Sequence, residues 1–304
     1  MLGPIFFTGG SGLLALNWAW TYRHEVPVVL GMHTRRVVMP SVKVVECALD
    51  SVSDILGLLE SVSPRLVIHT AGLTDVELCQ LNPAGAQYVN VTLAKNVAIA
   101  CEELKIPLVH ISTDHLFDGQ SSWTSEKAGV SPLNVYARSK ADAEVCIAAV
   151  YPDALIVRTN FFGWGMQYRK SFSDKVVSAL RAGESISLFG DVFFTPVVTS
   201  ELARACFDLV SERGTGVVNL VGRERISKFE FGKKLAKVFG LNPSLVLETS
   251  IADVAGLAPR PRDMSLSSDR LESIIGWRPA DVESQLLLLR RQDEAGMAKE
   301  LITI

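Results

Sequence analysis

The sequence lacks the features that mark secreted, membrane or nucleic-acid-binding proteins. Its five cysteines are scattered over 304 residues without a C-x-x-C pair, which is typical of reduced thiols and not of a disulfide framework. No apolar run approaches the ~20 residues that span a bilayer. The net charge of -3 gives no electrostatic reason to bind nucleic acid or an anionic membrane. No basic segment followed by an apolar one opens the chain, so we expect no signal peptide and a cytoplasmic protein.

Metal-ligand spacing is also missing, since the five histidines and five cysteines form no recognisable cluster. We therefore predict no metal site. The proportions of charged residues, 21%, and hydrophobic residues, 48%, are those of an ordinary globular protein. The chain is long enough for one large domain or two intimately packed ones.

A glycine-rich turn near the N-terminus is the first candidate functional motif. An apolar run at residues 5–7 leads into TGGSGLLA at residues 8–15, and a helical pattern follows. Gly9 and Gly12 fit a G-x-x-G-x-x-G spacing with Ala15 in the third position. The first glycine allows a tight turn, the second admits a pyrophosphate, and the small third residue lets helix and strand pack. With the helix N-terminus, this predicts a dinucleotide site with contacts from Gly9, Ser11, Gly12, Leu13 and Leu14.

Hydroxyl side chains follow a later apolar strand. The run LVHI at residues 108–111 is followed by Ser112, Thr113 and Asp114. Ligands of parallel α/β sheets bind at the carboxyl ends of the strands, where a hydroxyl can donate a hydrogen bond to a substrate carbonyl. A helix cap or a turn is the alternative interpretation of these three residues.

Tyr136 and Lys140 lie four residues apart in the run NVYARSK at residues 134–140. On a helix this spacing places both side chains on one face. An ammonium beside a phenol favours the phenolate, so we expect the tyrosine pKa to be lowered from ~10 towards the working pH. Ordinary solvated helices carry the same spacing by chance. The catalytic interpretation therefore depends on the glycine turn and the strand-end hydroxyls.

In order and spacing, these motifs resemble those of the extended short-chain dehydrogenase/reductase family. Within it, the chain is most similar to the dTDP-4-dehydrorhamnose reductases and related sugar-nucleotide reductases. Ala15 stands where these proteins usually have a glycine, and His115 where they often have a tyrosine. Further matches are IHTAGLTD at residues 68–75, YVNV at residues 88–91 and RTNFFG at residues 158–163.

Alternating strands and helices predict an α/β fold with a Rossmann-type, doubly wound parallel sheet and a smaller α+β lobe at the C-terminal end. We predict an NAD(P)-binding domain at residues 1–165 and a substrate-binding lobe at residues 166–304, interleaved so that the boundary is approximate. Predicted strands are residues 5–8, 26–32, 42–47, 66–69, 107–112 and 154–158. Predicted helices are residues 14–23, 52–62, 87–104, 137–150, 226–240 and 282–298.

The end of the second strand indicates the cofactor. Residues 31–36, GMHTRR, contain no carboxylate to bind a ribose 2′-hydroxyl, whereas Arg35 or Arg36 suits a 2′-phosphate. We therefore predict NADPH, with NADH as the alternative; a solvated basic loop is the other interpretation. Asp50 resembles the family residue beside the adenine, although a helix cap explains it as well. The resemblance also implies cofactor contacts from Ala71, Gly72 and Lys140.

The resemblance implies hydride transfer from a nicotinamide to a sugar ketone. Tyr136 would protonate the carbonyl oxygen, Lys140 would tune Tyr136 and hold the nicotinamide ribose, and Thr113 would hydrogen-bond the same oxygen. The partner is a sugar nucleotide, and a homodimer is compatible with the resemblance.

Substrate contacts are predicted around the same strand ends. Thr74 would bind a sugar hydroxyl or serve only as a turn residue. Asn160 and Phe161 would line the pocket, although phenylalanines at strand ends are often core residues. Arg260 and Arg262 would grip a pyrophosphate or simply be surface residues of a proline-stiffened loop.

Two other functions stay open at this point. One is an epimerase or dehydratase that retains its NAD. The arginines at residues 35–36 disfavour both of these enzymes. His115 also disfavours the dehydratase, because it stands after Asp114 where a glutamate would be expected. The other is a non-catalytic NADP-binding subunit resembling the β subunit of methionine adenosyltransferase, which can retain the three catalytic residue types.

Overall fold

A seven-stranded parallel sheet organises the computed structural model, which describes residues 3–304. The strand order is β11-β6-β5-β4-β1-β2-β3, and each neighbouring pair runs parallel. The order reverses direction between β1 and β4, so the crossovers on the two sides of this point leave a crevice at the carboxyl ends of these strands. The predicted Rossmann-type α/β class is confirmed.

The strands are β1 Ile5–Thr8, β2 Val28–Met32, β3 Lys43–Glu46, β4 Leu66–His69, β5 Leu108–Ile111, β6 Leu155–Arg158, β7 Phe161–Phe162, β8 Ile186–Phe189, β9 Phe193–Phe194, β10 Val197–Val198, β11 Gly216–Asn219, β12 Ile226–Ser227 and β13 Val246–Thr249. The helices are α1 Leu13–Tyr22, α2 Val52–Val62, α3 Val76–Leu81, α4 Pro83–Gln87, α5 Leu93–Glu103, α6 Val135–Val150, α7 Phe172–Arg181, α8 Thr199–Ser211, α9 Lys228–Val238, α10 Asp269–Ile275, α11 Val282–Glu294 and α12 Met297–Ile302. A π-helical segment, Tyr88–Thr92, joins α4 to α5, and short 3-10 helices span Pro243–Leu245 and Ile251–Asp253.

Alternate residues of the central strands supply two separate apolar cores. Phe7 packs with α1 and α8 residues on one face of the sheet, whereas Phe6, its neighbour in β1, packs with α2 and α5 residues on the other. Successive side chains of a strand point to opposite faces. Fully buried strands such as β1 are therefore covered by helices on both sides, as parallel sheets require.

The second part of the chain is not separate from the sheet. The edge strand β11, Gly216–Asn219, pairs with β6 throughout its length. The remaining short strands form two-stranded pairs, β10 with β7, β12 with β9 and β13 with β8. Residues 166–304 thus contribute both to the smaller lobe and to the large sheet, and the predicted boundary at residue 165 stays a prediction.

Local capping explains where two predicted helices differ from the observed ones. The segment predicted as one helix at residues 226–240 begins as β12, and α9 begins only at Lys228, because the Ser227 side chain accepts a hydrogen bond from the Glu230 amide. The predicted last helix is divided at Gly296, whose φ of +90° lies in the left-handed region that favours glycine.

No helix between residues 3 and 304 is long and apolar enough to cross a membrane. Within the same range, no group of three or more histidine, cysteine, aspartate or glutamate residues is arranged to hold a metal ion. The cysteines are free thiols, and all except Cys146 are buried, where they serve as small apolar packing residues.

Candidate active site

The cleft of interest lies at the carboxyl ends of β1, β4 and β5, at the reversal of strand order. Its volume is about 410 Å³. Twelve residues predicted to bind cofactor or substrate, or to catalyse, line it: Gly9, Ser11, Gly12, Leu13, Leu14, Arg35, Ala71, Gly72, Thr74, Tyr136, Lys140 and Phe161. The chain folding therefore brings together residues that are separated by up to 152 positions in the sequence.

The glycine turn is shaped by close backbone approach between the ends of β1 and β4. Gly9 has a φ of +65°, and a Cβ there would lie 2.7 Å from the backbone nitrogen of Ala71. A side chain at residue 9 is thus excluded twice, by conformation and by space. Gly12 caps α1 without a side-chain hydrogen bond, which leaves the first N–H groups of this helix available for a phosphate.

The two candidate arginines at the end of β2 occupy different places. Arg35 lines the cleft, and its guanidinium carbon lies 4.0 Å from the centre of the Tyr168 ring. Arg36 lies outside the cleft lining, is highly exposed and approaches Glu46 at 3.5 Å. Asp50, the predicted adenine neighbour, is exposed and accepts a hydrogen bond from the Tyr88 hydroxyl. Of the two arginines, Arg35 is therefore the one placed to meet a ligand.

The catalytic candidates meet where α6 crosses the end of β5. Tyr136 and Lys140 both line the cleft from one face of α6. Thr113, which follows β5, lies near enough to Tyr136 to lower the pKa of the phenol, while its own hydroxyl accepts a hydrogen bond from the His115 amide at 3.2 Å. His115 packs edge-to-face on the Tyr136 ring at a centroid distance of 5.8 Å. The Tyr136 side chain therefore has a protein neighbour on two sides, Thr113 and His115.

Burial sets the ionisation of both side chains. It raises the pKa of Tyr136 to about 12, and the nearby Thr113 hydroxyl only partly opposes it. The direction is opposite to the one predicted from the Tyr136/Lys140 spacing, because desolvation of the phenolate outweighs its favourable neighbours. Burial also lowers the pKa of Lys140 to about 8, with Glu144 acting in the other direction. At neutral pH, Tyr136 thus keeps its proton and Lys140 keeps its charge.

Buried polar groups of β5, β4 and β1 lie next to the Lys140 ammonium. The Nζ atom lies 3.0 Å from His110 Nε2 and donates to the Ile111 carbonyl oxygen at 2.7 Å. The His110 ring stacks on His69 at 5.3 Å, and His69 Nδ1 lies 2.8 Å from the Thr8 hydroxyl. Burial lowers the pKa of His69 to about 3 and that of His110 well below its usual value, with the Lys140 charge contributing. Both imidazoles are therefore neutral.

A buried ion pair fixes the other side of α6. Glu144 forms a salt bridge with Arg158 of β6 at 2.6 Å, and accepts a hydrogen bond from the Ser112 hydroxyl at 2.5 Å. Both charged side chains are 6% exposed. Because Ser112 precedes Thr113, this network holds the strand end that carries the candidate hydrogen-bond donor.

Asn90 connects the loop after β4 to α6. Its Oδ1 accepts from the Leu73 amide at 2.7 Å, and its Nδ2 donates to the Leu73 carbonyl and to the Ser139 hydroxyl. Asn90 belongs to the π-helical segment, and such segments are frequent at functional sites. The Asn90 amide thus ties the residue before Thr74 to the helix that carries Tyr136.

The predicted substrate contacts separate into two groups. Thr74 and Phe161 line the cleft. Asn160 donates instead to Asp114 at 2.6 Å. Arg260 forms a salt bridge with Glu77, and Arg262 is largely exposed, 3.7 Å from Asp191. These last three residues do not line the cleft. Their role in substrate binding stays a prediction.

Sequence reasoning missed several cleft residues, of which Tyr168 and Arg169 are the most informative. The Tyr168 hydroxyl donates to the Ser11 carbonyl at 2.7 Å, and the Arg169 guanidinium contacts the Thr74 hydroxyl. Their segment carries no motif, although a tyrosine beside two cations was a visible signal. The other unpredicted lining residues are Thr34, Thr70, Ile111 and Ser112.

Comparison with known proteins gives a consistent result. Residues 3–292 match the family model described as the RmlD substrate binding domain. The chain is 30% identical over 289 residues to a probable low-salt glycan biosynthesis reductase, Agl14, of Haloferax volcanii, covering 93% of this chain and 96% of that protein. It is 30% identical over 227 residues to a dTDP-4-dehydrorhamnose reductase of Mycobacterium tuberculosis, covering 71% and 74% of the two chains.

Among solved structures, the fold is similar to that of a dTDP-4-dehydrorhamnose reductase from Bacillus anthracis in complex with NADP. The TM-score is 0.82 at 22% identity, covering 96% of this chain and 100% of that one.

Proposed function

This chain belongs to the RmlD substrate binding domain family, and on that premise we propose that it uses NADPH to reduce the keto group of a sugar nucleotide. Membership confirms the resemblance to the extended short-chain dehydrogenase/reductases and makes the chain an NAD(P)H-dependent oxidoreductase. The proposed substrate is dTDP-4-dehydrorhamnose or a close analogue, because the M. tuberculosis relative is named a dTDP-4-dehydrorhamnose reductase.

The proposal rests chiefly on one observation: the glycine turn and the Tyr136/Lys140 pair line a single cleft at the reversal of strand order. The turn fits a pyrophosphate, since Gly12 opens α1 with no side chain over the first N–H groups of the helix. Arg35 fits a 2′-phosphate, since its guanidinium lines the cleft and makes no hydrogen bond or salt bridge to residues 3–304. When bound, the nicotinamide would supply the hydride.

The residues of the chain would then manage the proton and the charge. Tyr136, kept protonated by burial, would donate its proton to the carbonyl oxygen as negative charge develops there. Thr113, beside Tyr136, would hydrogen-bond the same carbonyl oxygen. Lys140 would stabilise the phenolate that Tyr136 becomes, with the one N–H donor that β5 does not use.

The test is oxidation of NADPH by the purified protein with a panel of nucleotide-linked 4-keto sugars, run in parallel with NADH. We expect oxidation with at least one dTDP-linked member and slower oxidation of NADH. Tight NADP binding without oxidation of any member would contradict catalysis and indicate a regulatory subunit. Conversion of a sugar nucleotide without net cofactor oxidation would indicate an epimerase or dehydratase instead. Light scattering of the same sample tests the homodimer.

A further inference from the structure

A two-residue hairpin from the second half of the chain reaches over the cofactor end of the cleft. Met166 and Arg169 form an antiparallel bridge, closed by two backbone hydrogen bonds of 3.0 Å. Gln167 and Tyr168 occupy its turn. This segment follows β7 and lies outside the strand-turn-helix unit that carries the glycine motif, so its contacts with that unit join distant parts of the chain.

Tyr168 is held by two contacts, one through its hydroxyl and one through its ring. The hydroxyl donates to the carbonyl oxygen of Ser11 in the glycine turn at 2.7 Å. The ring lies against the Arg35 guanidinium at 4.0 Å, a stacked geometry that favours a cation over an aromatic face. Tyr168, Ser11 and Arg35 all line the cleft. The tyrosine therefore spans from the pyrophosphate turn to the end of β2.

Arg35 needs such support because the structure gives it no other. It lies in a segment without regular structure after β2, and no carboxylate or carbonyl of residues 3–304 takes its N–H groups. Arg36, by contrast, approaches Glu46. A stacked guanidinium keeps its donor edge free for a bidentate phosphate contact. An unsupported arginine would instead lose rotamer freedom on binding, which weakens affinity.

We propose that Tyr168 is a specificity-determining positioning residue, which holds Arg35 for the 2′-phosphate of the cofactor. This deepens the proposed function and rests on its choice of NADPH. The preference for a phosphorylated cofactor then depends on the hairpin at residues 166–169 as well as on the end of β2.

The test measures dissociation constants for NADPH and NADH with the full-length protein. We expect Tyr168→Ala to weaken NADPH binding by about tenfold, the size of a stacked cation contact, and to leave NADH within about twofold. Tyr168→Phe keeps the stack and should retain most of the preference. Gln167→Ala, the neighbouring turn residue, is the matched control and should behave as the wild type.

A double-mutant cycle with Arg35→Ala separates this role from a merely structural one. If Tyr168 acts through Arg35, Tyr168→Ala should have almost no further effect on NADPH in the Arg35→Ala background. Additive effects would overturn the inference, as would equal weakening of both cofactors by Tyr168→Ala. If Tyr168→Ala keeps the wild-type preference for NADPH over NADH, this inference is wrong but the proposed function is unaffected. A wild type without preference for NADPH overturns the cofactor part of the proposed function and this inference with it.

Discussion

The ammonium of Lys140 is held by two atoms of β5, His110 Nε2 at 3.0 Å and the Ile111 carbonyl oxygen at 2.7 Å. An ammonium has three N–H donors, so one is left for a group in the cleft. Because His110 accepts at Nε2, its ring proton sits on Nδ1, which is buried and has no hydrogen-bond partner among residues 3–304. The histidine is therefore committed to a neutral form that supports the lysine charge.

Replacing His110 should move the pH dependence of catalysis. Lys140 has a pKa of about 8, so a rate that needs its charge falls as the pH rises through this value. In His110→Leu the ammonium loses an acceptor, its pKa falls further, and the alkaline limb of kcat/KM should shift to lower pH. His110→Gln offers an amide oxygen and should restore most of the wild-type profile. Superimposable profiles for all three proteins would refute the role of His110.

Removing the Tyr136 hydroxyl should abolish turnover without abolishing cofactor binding. Loss of a positioned proton donor typically costs ~10²–10⁴-fold in rate, and we expect Tyr136→Phe to fall in this range. Thr113→Val removes the hydroxyl that is proposed to hydrogen-bond the carbonyl oxygen and should lower kcat by a smaller factor. Tyr151→Phe is the control, since Tyr151 follows the same helix and bonds to the Ile106 carbonyl. Near wild-type turnover by Tyr136→Phe would exclude the proposed mechanism.

The stacked histidines should make the fold sensitive to acid. Below about pH 6.5 an unfolded histidine binds a proton, but burial holds the pKa of folded His69 at about 3 and that of His110 well below its usual value. The unfolded state then binds more protons, so stability falls as the pH drops from 6.5 towards 3, by up to about 1.4 kcal/mol per pH unit from His69, and His110 acts in the same direction. Urea unfolding at neutral and acidic pH measures this dependence. It should be shallower in His69→Gln and unchanged when exposed His24 is replaced; equal slopes in all three proteins would contradict it.

The Glu144–Arg158 pair should behave as a buried salt bridge. Replacing Arg158 by Met leaves the carboxylate buried with the Ser112 hydroxyl as its remaining hydrogen-bond partner and the Lys140 charge near it, and should lower the free energy of unfolding by about 3–5 kcal/mol. The double variant Glu144→Met with Arg158→Met removes both members of the pair and should lose less than the sum of the single changes. Urea denaturation of the four proteins measures the coupling. Simple additivity would show that the two groups do not support each other.

The sequence predicted the central sheet well because its strands are short apolar runs with clear turns between them. Strands β1 and β4 match the predicted residues, and the other four predicted strands differ by at most two residues at either end. The edge strand β11 was missed, since GVVN at residues 216–219 begins with a glycine and its pairing with β6 depends on the tertiary fold.

For the site, local motifs were sufficient to find the glycine turn and the Tyr136/Lys140 pair. Sequence could not predict the contact of Tyr168 with the glycine turn, because its partner Ser11 lies 157 residues earlier and no local pattern encodes that contact. The direction of the Tyr136 pKa shift was wrong for a related reason. Spacing on a helix indicates which groups are neighbours, but the extent of desolvation depends on everything packed around them.

The late position of β11 has a consequence for synthesis on the ribosome. When residues 1–165 have emerged, the segments of six of the seven strands of the large sheet have been made, and β6 lacks its neighbour β11 until residues 216–219 follow. An open edge of this kind can pair with other chains. The nascent protein therefore passes through a stage in which the cleft residues up to Phe161 have been made but the sheet is unfinished. A pause in translation between residues 165 and 219 lengthens this stage and increases the risk of aggregation.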